Sequence, residues 1–432
     1  MVKIGEAYSV KIEDVNIFGN GICHIDSFVV FVKNALAGEE CEIEITEVSK
    51  KFAYATVKSV ILQSPSRENP SCDCYFECGG CAFLHTNIEN ENQIKENYVK
   101  SIFKKNKIDV CVEKISSPCV NEYRNKVVFH FKNGEYGYMA SGTNKLVPHR
   151  SCILNDGVFD QIAKLTSEIL PKNAIRALYI RKSSQNDGEL IVCPILQNNV
   201  DLMGYVGALV SKFPNVRTVL YSVFSERDFA LEKVKFKTLY GDGYIYDELL
   251  GLQFRISPSS FYQVNHECAE KLYEKAIELA SLNPTDKCAD LFCGTGTIGI
   301  IAAKKTGATV YGVEINEDAV RDAKFNAKLN GVKNISFTAT DAKNFNEAVD
   351  VAIIDPPRKG CSSFMIDTLL RLRPNCVVYV SCNADTLARD LKALLGEYEI
   401  SSPVYPFNMF PKTSHVESVV SLTRRLDVDM RR

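Results

Sequence analysis

The stretch CADLFCGTGTIGI, residues 288–300, decides the fold of the C-terminal part of the chain. CADLF has the character of a buried strand, and TIGI is predicted to open a helix. Gly294, Gly296 and Gly299 occupy the spacing G-x-G-x-x-G, which lets the backbone turn tightly and approach a ligand closely. This turn predicts an α/β sheet with a ligand at its edge, and a glycine turn that binds nothing is the plain alternative.

Predicted strands and helices alternate from about residue 252 onwards, which indicates a doubly wound sheet, parallel at least in its centre. Glu314 ends the strand that follows the glycine turn. A carboxylate at that place can accept hydrogen bonds from ribose hydroxyls. Dinucleotides and S-adenosylmethionine both contain a ribose, so Glu314 does not distinguish between them. The alternating segments include TVYGVEI (309–315), EDAVRDAKFNAKLNG (317–331), DVAIIDPP (350–357), CVVYVSC (376–382) and ADTLARDLKALL (384–395).

Asp355 ends the predicted strand VAII and is followed by Pro356 and Pro357. The two prolines forbid a helix at this point and fix an extended exit from the sheet. Ligands of open α/β sheets bind beyond the carboxyl ends of the strands, so Asp355 is predicted to face a substrate. A helix N-cap is the alternative, although the prolines place the next helix start later, near Ser362.

Two further side chains are candidates for catalysis. Cys382 closes the next strand at the same edge as Asp355, between the polar residues Ser381 and Asn383. A free cysteine, with a pKa near 8.5, is only a few per cent thiolate at neutral pH, yet it attacks electron-poor carbon well. Glu417 precedes a β-rich run, where a charge is costly unless it is paired or used. Packing of Cys382 at the strand end and a surface position of Glu417 are the alternatives.

The residues before this sheet divide into two parts. Short, partly alternating runs in residues 1–62 predict a small five-stranded β-barrel. QSPSRENPS, residues 63–71, is predicted to be a linker, and a helix is predicted over residues 90–107 of a central α+β domain. We therefore expect a multidomain α/β protein with domains at 1–62, 63–250 and 251–432.

Sixteen cysteines occur in a chain that starts with a charged segment rather than the apolar core of a secretory signal. Disulfides are not expected in such a chain, and most of these cysteines are predicted to be small buried hydrophobes. SCDCYFECGGCAFLH, residues 71–85, stands apart because it clusters Cys72, Cys74, Cys78 and Cys81. Clustered thiolates suit either zinc or an iron–sulfur cluster.

The composition excludes several classes of protein. Hydrophobic residues make up 46% of the chain and charged residues 24%, and the formal net charge is -2. No apolar run approaches the roughly 20 residues that a membrane span requires. We therefore expect a cytoplasmic protein without a membrane segment. A role on nucleic acid would need a local basic face, because the bulk charge supplies none.

These residues together resemble the RNA 5-methyluridine methyltransferases over nearly the whole chain. The resemblance implies that residues 1–62 form a TRAM domain, an OB-like RNA-binding barrel. It also implies that residues 251–432 form a class I S-adenosylmethionine-dependent methyltransferase domain with a Rossmann-like sheet. The motifs that carry it are SPSSFYQVN (257–265), DLFCGTGTIG, DPPRKG, SCN and HVE, in that order, with EYRNKVVFH (122–130), PHRSCIL (148–154) and the cysteine cluster.

The resemblance also implies the chemistry. Uracil C5 is a poor nucleophile, and the family activates it with a thiolate that adds to C6. Cys382 matches that nucleophile, and Glu417 matches the base that removes the C5 proton before the enzyme is eliminated. The positions that surround the methyl donor and the target base in the family fall on Gln263, Phe292, Thr297, Glu314, Asp341 and Asp355.

A metal site is implied by the same resemblance. Cys72, Cys78 and Cys81 match the family spacing, and Cys152 matches the distant fourth ligand. The implied group is a structural 4Fe–4S iron–sulfur cluster rather than zinc, with Cys74 as an extra thiol that could compete. Two departures from the family pattern, Ala384 after SCN and AFLH after CGGC, remove no catalytic group.

The expected partner is RNA, whose target nucleotide must be flipped out of its stack. Family members that act on transfer RNA generally lack the TRAM-like domain and the cluster cysteines, so 23S ribosomal RNA is the preferred substrate and transfer RNA the alternative. Phe261 and Tyr262 are candidates for stacking on bases, with core positions as the alternative. The lysines and arginines of YRNKVV (123–128), PHR (148–150) and PPRKG (356–360) are candidate phosphate contacts, with scattered surface charge as the alternative, and we expect a monomer.

Two other functions stay open at this point. An amino-group methyltransferase would use the same donor fold but would not need Cys382. A non-enzymatic RNA-binding iron–sulfur protein would not need Glu314 and Asp355 at strand ends.

Overall fold

The computed structural model describes residues 2–184, 188–224 and 234–425. An N-terminal barrel, a central sheet and a C-terminal sheet follow one another along this part of the chain. Residues 426–432 of the predicted third domain lie outside the described residues. Among the helices that the structure describes, none is long and apolar enough to cross a membrane.

The N-terminal sheet curls around an apolar interior. Cys41, Ile43 and Ile45 alternate with glutamates along one strand and are fully buried. Six strands are present rather than the five predicted, because Asp14–Val15 adds a two-residue strand at one edge. The strands are β1 (Ala7–Lys11), β2 (Asp14–Val15), β3 (Asn20–Ile25), β4 (Phe28–Lys33), β5 (Glu40–Val48) and β6 (Phe52–Leu62), in the sheet order β1-β5-β6-β4-β3-β2.

The segment predicted to be a linker, residues 63–71, is anchored to this barrel. Arg67 Nε donates to Glu39 Oε1 at 2.5 Å, and its Nη2 donates to the carbonyl oxygen of Asn34 at 2.8 Å. Glu39 is fully buried, and its Oε2 accepts the N–H of Leu36 at 2.8 Å. A buried ion pair therefore fixes this segment, where the composition indicated only a connection.

The central sheet packs against two helices on one face. Phe129, Phe159 and Leu209 belong to this core, whereas Tyr179 and Ile191 on the other face share a core with the C-terminal sheet. The elements are β7 (Lys126–Lys132), β8 (Glu135–Met139), β9 (Leu146–Pro148), β10 (Ile175–Lys182), β11 (Leu190–Leu196), β12 (Val216–Val223) and β13 (Lys237–Tyr240), in the order β13-β12-β11-β10-β7-β8-β9, with the helices α2 (Gly157–Ile169) and α3 (Met203–Lys212).

The C-terminal sheet confirms the predicted doubly wound architecture with a parallel centre. A hairpin of β14 (Ile245–Leu249) and β15 (Leu252–Ile256) leads into it. Its strands are β16 (Lys287–Leu291), β17 (Thr309–Glu314), β18 (Ile335–Ala339), β19 (Val351–Ile354), β20 (Cys376–Ser381), β21 (Tyr398–Ile400), β22 (Tyr405–Phe407) and β23 (Glu417–Arg424). The order is β18-β17-β16-β19-β20-β23-β21, with β22 also paired to β23, and the three last strands of the chain run antiparallel to their neighbours.

Helices cover both faces of this sheet. One face carries α4 (His266–Ala280), α5 (Thr297–Thr306) and α6 (Glu317–Leu329), and the other carries α1 (Ile88–Lys105), α7 (Ser363–Leu372) and α8 (Ala384–Leu394). Val99 and Phe103 of α1 share a core with Leu387 and Leu391 of α8. The helix predicted near residues 90–107 therefore packs on the C-terminal sheet, and the three predicted domain ranges stay a prediction.

The strand order reverses between β16 and β19. β16 has β17 on one side and β19 on the other, both parallel to it. The helices that follow β16 and β19, α5 and α7, lie on opposite faces of the sheet. A crevice therefore opens beyond the carboxyl ends of these strands, which is where open α/β sheets bind ligands.

Candidate active site

A cavity of about 510 Å³ lies at this crevice. Phe261, Ile315 and Arg358 are part of its lining, together with seven of the eight side chains predicted for catalysis and for the methyl donor. Residues that are far apart in sequence meet here because parallel strands end at one edge. The seven are Gln263, Phe292, Glu314, Asp341, Asp355, Cys382 and Glu417.

The glycine turn and Glu314 form one end of the cavity. Glu314 Oε2 accepts the N–H of Gly294 at 3.2 Å, and its Oε1 accepts the N–H of Asn316 at 2.9 Å. Gly296 has a φ of 78°, and a Cβ at this position would lie 2.7 Å from the ring of Phe337. Position 296 therefore requires glycine, and main-chain donors orient the Glu314 carboxylate.

Asp290 is a buried acid that the sequence did not mark as functional. Its Oδ2 accepts the N–H of Gly299 at 2.8 Å, so it supports the glycine turn from inside β16. Burial raises the pKa of its carboxyl to about 7. An acid within the apolar strand CADLF was the available signal, since a charge there is costly unless it is used.

Thr297 is the predicted donor-site residue that does not line the cavity. It is the first residue of α5 and is 8% exposed. Its hydroxyl lies 3.5 Å from that of Tyr273, within the helix packing behind the glycine turn. A direct role of Thr297 at the methyl donor stays a prediction.

Glu417 reaches the cavity by a route different from that of the other acids. It begins β23, which is antiparallel to β20 and places Ser418 opposite Ser381. The first residue of an antiparallel strand lies at the carboxyl edge of its parallel neighbours. Glu417 therefore comes to the edge where Cys382 follows Ser381, and it is 5% exposed rather than a surface residue.

The two polar neighbours of Cys382, Ser381 and Asn383, make hydrogen bonds that shape the local backbone. Asn383 is the N-cap of α8, where its Oδ1 accepts the N–H of Asp385 at 3.0 Å. Its Nδ2 donates to the carbonyl oxygen of Arg358 at 3.4 Å, and Ser381 Oγ accepts the N–H of Asn383 at 3.2 Å. These hydrogen bonds shape the turn that presents the thiol and hold the loop after Asp355 beside it.

The cavity disfavours charge on its acids. Burial and the neighbouring Asp355 raise the pKa of Glu417 to about 8, and burial raises the pKa of Asp355 to about 7. Burial and the carboxylates of Glu417 and Asp355 raise the pKa of Cys382 to about 12, against the opposing effect of Arg358. The thiol is therefore protonated before substrate binds, because its pKa lies well above that of an unperturbed cysteine.

The two predicted stacking residues occupy different environments. Tyr262 is 3% exposed, and its ring lies 5.2 Å from the guanidinium carbon of the fully buried Arg181. Phe261 is 61% exposed and lines the cavity. Asn125 Nδ2 donates to the carbonyl oxygen of Gln263 at 2.9 Å, so the central sheet holds this segment in place. Phe261 keeps the stacking interpretation and Tyr262 belongs to the core.

The clustered cysteines line a second cavity of about 210 Å³. Arg124, Tyr138 and His149 are also in its lining. Within the described residues, no three histidine, cysteine, aspartate or glutamate side chains are arranged to hold a metal ion. The thiols that share this cavity are those of Cys72, Cys74, Cys78, Cys81 and Cys152.

The buried Glu417 predicts a pH-dependent gain in stability for the substitution Glu417→Gln. Its folded pKa of about 8 exceeds the ordinary 4.5. The free energy of unfolding therefore falls as the pH rises through this window, because the folded protein must hold a buried anion. Glutamine removes that cost, so the melting temperature of the variant should exceed that of the wild type progressively between pH 5 and pH 9. The gain is on the order of a few kcal/mol at most, since each tenfold change in proton affinity corresponds to about 1.4 kcal/mol.

The exposed Glu399 on β21 provides the matched control. Glu399→Gln should show no such growth in the difference of melting temperature. An equal shift of the Glu417→Gln variant at both ends of the pH range would contradict the assigned burial of the Glu417 charge.

Two family profiles match the chain, one at its N-terminal end and one towards its C-terminal end. The profile of the TRAM domain matches residues 2–58, and that of the tRNA (Uracil-5-)-methyltransferase family matches residues 232–425. An uncharacterized RNA methyltransferase of Bacillus cereus is 35% identical over 98% of each chain. A second one, from Caldanaerobacter subterraneus subsp. tengcongensis, is 34% identical over 98% of this chain and 99% of its own.

A solved structure has the same overall fold. The Pyrococcus abyssi tRNA (uracil-54, C5)-methyltransferase in complex with S-adenosyl-L-homocysteine superposes with a TM-score of 0.80 at 24% identity, over 96% of this chain and 100% of its own. The N-terminal barrel is thus a TRAM domain, and the C-terminal sheet has the S-adenosylmethionine-dependent methyltransferase fold. The chain belongs to the RNA methyltransferases that join a TRAM domain to a uracil-5-methyltransferase domain.

Proposed function

We propose that this protein transfers the methyl group of S-adenosylmethionine to C5 of a uridine in 23S ribosomal RNA. The observation that carries the proposal is the meeting of Cys382, Asp355 and Glu417 in the cavity that also contains Glu314. A thiol is superfluous for methylation of an amino group, which is already nucleophilic. A thiol beside a buried base suits a carbon that must first be activated.

The reaction follows from the chemistry of these groups. The Cys382 sulfur bonds to uracil C6, and C5 then takes the methyl group from the donor sulfonium, so that S-adenosylhomocysteine leaves. Glu417 removes the C5 proton, the C5–C6 double bond re-forms, and the bond from C6 to sulfur breaks to release the enzyme. The Cys382 thiol is neutral before the attack because its pKa is high, so its proton passes to the carboxylate of Asp355 in the same cavity as the sulfur bonds to C6.

The donor is proposed to lie along the glycine turn. Glu314 would accept the ribose hydroxyls, and Asp341 would accept from the adenine amine. Gln263 and Asp355 lie in the same cavity and are assigned to the donor methyl group and the target base. Phe292 would pack against the donor.

The RNA would enter from the side of Phe261. An exposed aromatic ring beside the cavity can stack on a flipped base or on its neighbour, and such stacking is worth about 1 to 3 kcal/mol per base. Arg358 lies next to Cys382 in the cavity lining and is assigned to a phosphate of the flipped nucleotide. Specific RNA readers mostly choose loops, whose bases are easily unstacked.

Transfer RNA is the second candidate substrate, and one observation favours it. The solved structure described as a tRNA methyltransferase matches this chain over 96% of its length, a share that must include the N-terminal barrel. The barrel therefore does not separate ribosomal from transfer RNA substrates. The cysteine cluster keeps 23S ribosomal RNA as the first choice.

The substrate is tested with S-adenosylmethionine that carries a labelled methyl group. Protein purified without air is offered ribosomal and transfer RNA from a strain that lacks 5-methyluridine, and the RNA is digested to nucleosides. We expect label in 5-methyluridine from 23S ribosomal RNA. Label in 5-methyluridine from transfer RNA would support the proposed reaction but show that transfer RNA is the substrate. Label in any other nucleoside would overturn the assignment of Cys382.

The mechanism predicts opposite behaviour of two variants. Glu417→Gln should accumulate a covalent, methylated RNA adduct on a denaturing gel, because addition and methyl transfer precede the step that needs the base. Cys382→Ala should form no adduct and no 5-methyluridine. A Cys382→Ala variant that still methylates RNA would remove the basis for covalent catalysis.

The cysteine-lined cavity is proposed to hold an iron–sulfur cluster. The support is that all four cysteines of the predicted ligand set line this one cavity. Four thiolates suit either zinc or a 4Fe–4S cluster, and the resemblance of the cysteine spacing to that of the family favours the cluster. Its role would be structural, because methyl transfer has no redox step. The proposed ligands are Cys72, Cys78, Cys81 and Cys152.

Individual cysteine substitutions test this ligand set. Cys78→Ser should abolish bound iron and inorganic sulfide and the visible absorbance of the anaerobically purified protein. Cys74→Ser is the matched control, since it removes a thiol from the same cavity, and it should retain all three. Zinc in place of iron, or equal losses in both variants, would contradict the assignment.

A further inference from the structure

A buried ion pair on α1 holds the turn that leads to the proposed base. The turn comprises residues 408–413 and lies between β22 and β23, whose first residue is Glu417. We propose that Glu91 and Lys95 are positioning residues for Glu417, acting through the main chain of this turn. The inference rests on the proposed role of Glu417.

Glu91 gathers three donors on one oxygen. Its Oε1 accepts from Lys95 Nζ at 2.8 Å, from Asn408 Nδ2 at 3.0 Å and from the N–H of Lys412 at 2.9 Å. Lys95 Nζ also donates to Asn408 Oδ1 at 2.7 Å and to the carbonyl oxygen of Phe410 at 3.2 Å. The pair therefore contacts the beginning, the middle and the end of the turn.

Burying this ion pair costs free energy, and attachment of α1 to the sheet does not require it. Both side chains are 0% exposed, and taking two charges out of water costs several kcal/mol per ion. Val99, Ile102 and Phe103 already attach α1 to the sheet through apolar packing. Buried ionic groups of this kind are weak evidence for stability, and fixing one conformation is the role that accounts for the contacts seen here.

The conformation that is fixed is itself unfavourable. Lys412 has a φ of 66°, the left-handed region that residues with a side chain seldom adopt. Its Nζ donates to the carbonyl oxygen of Thr86 at 3.0 Å and lies 3.8 Å from Glu91 Oε2. A strained residue persists only when its surroundings determine it, and Glu91 contacts both its main chain and its side chain.

The cysteine segment, residues 71–85, holds the same turn from the other side. The N–H groups of Ala82 and Phe83 donate to the carbonyl oxygen of Lys412 at 2.7 and 3.1 Å. The hydroxyl of Tyr123 donates to the carbonyl oxygen of Pro411 at 3.0 Å. Ala82 directly follows Cys81, so the turn is clamped between α1 and the cysteine-lined cavity.

The turn transmits its position to Glu417 over a short distance. Thr413 Oγ1 donates to the carbonyl oxygen of Phe410 at 2.8 Å and accepts the N–H of His415 at 3.3 Å. Phe407, the residue before the turn, is opposite Glu417 in the β22–β23 pair. A displaced turn would therefore move Glu417, whereas Cys382 is held separately by β20 and α8.

We therefore expect substitutions of this pair to affect two steps of the reaction differently. Glu91→Ala and Lys95→Met should impair proton abstraction and spare the addition of Cys382. RNA with 5-fluorouridine at the target position measures addition and methyl transfer alone, because a base cannot remove fluorine as a cation. Adduct formation with this RNA should stay within a small factor of wild type. Turnover on uridine RNA should fall roughly 10- to 100-fold, with accumulation of the uridine adduct.

Two further variants make the test specific. Glu91→Gln keeps an acceptor for Lys412 and Asn408 and should restore most of the turnover. Glu39→Ala removes another fully buried carboxylate from an ion pair, in the barrel, and should lower thermal stability without separating the two rates. Lys95→Met, which preserves side-chain length, carries the test if Glu91→Ala does not fold.

The contrary outcomes are distinct. Parallel losses of adduct formation and turnover in Glu91→Ala and Lys95→Met would show that the pair only supports the structure. Unchanged rates in both variants would show that the pair affects neither step of the reaction. A wild-type protein that forms no adduct with either RNA would overturn the proposed function itself, and the inference with it.

Discussion

The pairing of β23 with β20 is the constraint on which the candidate site depends. Parallel strands deliver only their carboxyl ends to the crevice, so an acid at the start of a strand can reach it only on an antiparallel strand. The register that sets Ser418 opposite Ser381 brings Glu417 to the level of Cys382. A shift of one residue would turn the side chains of β23 to the opposite face and remove Glu417 from the cavity.

Gathering these acids in one buried place costs electrostatic free energy, which the packing of the rest of the fold must offset. Asp290, Asp355 and Glu417 are three buried acids around one crevice, and each has a raised pKa. The same environment keeps the Cys382 thiol neutral, and a neutral thiol is a poor nucleophile toward stray electrophiles. The apolar faces of β16, β19 and β20 supply the stability against which this cost is set.

How well a site residue could be predicted depends on whether its placement follows from its own segment or from residues far away in the sequence. Glu314, Asp355 and Cys382 were predictable because each ends a strand, and parallel strand ends share an edge. Glu417 could not be separated from a surface glutamate by its local pattern, since its burial depends on pairing with β20. Phe261 and Tyr262 are adjacent and similar, and only the packing of Tyr262 against Arg181 distinguishes them. The raised pKa of Cys382 likewise depends on its burial and on acids that are distant in sequence.

The N-terminal contribution to the site is the least visible in the sequence. Lys95 and Asn408 are 313 residues apart, and no local pattern relates them. The family profile that matches residues 232–425 contains the glycine turn, Cys382 and Glu417 but not α1 or the cysteine segment. Those two elements nevertheless hold the turn before Glu417 from opposite sides. The proposed donor pocket and the proposed nucleophile lie on the C-terminal sheet, whereas the turn before the proposed base is also held by elements that precede this sheet in the chain.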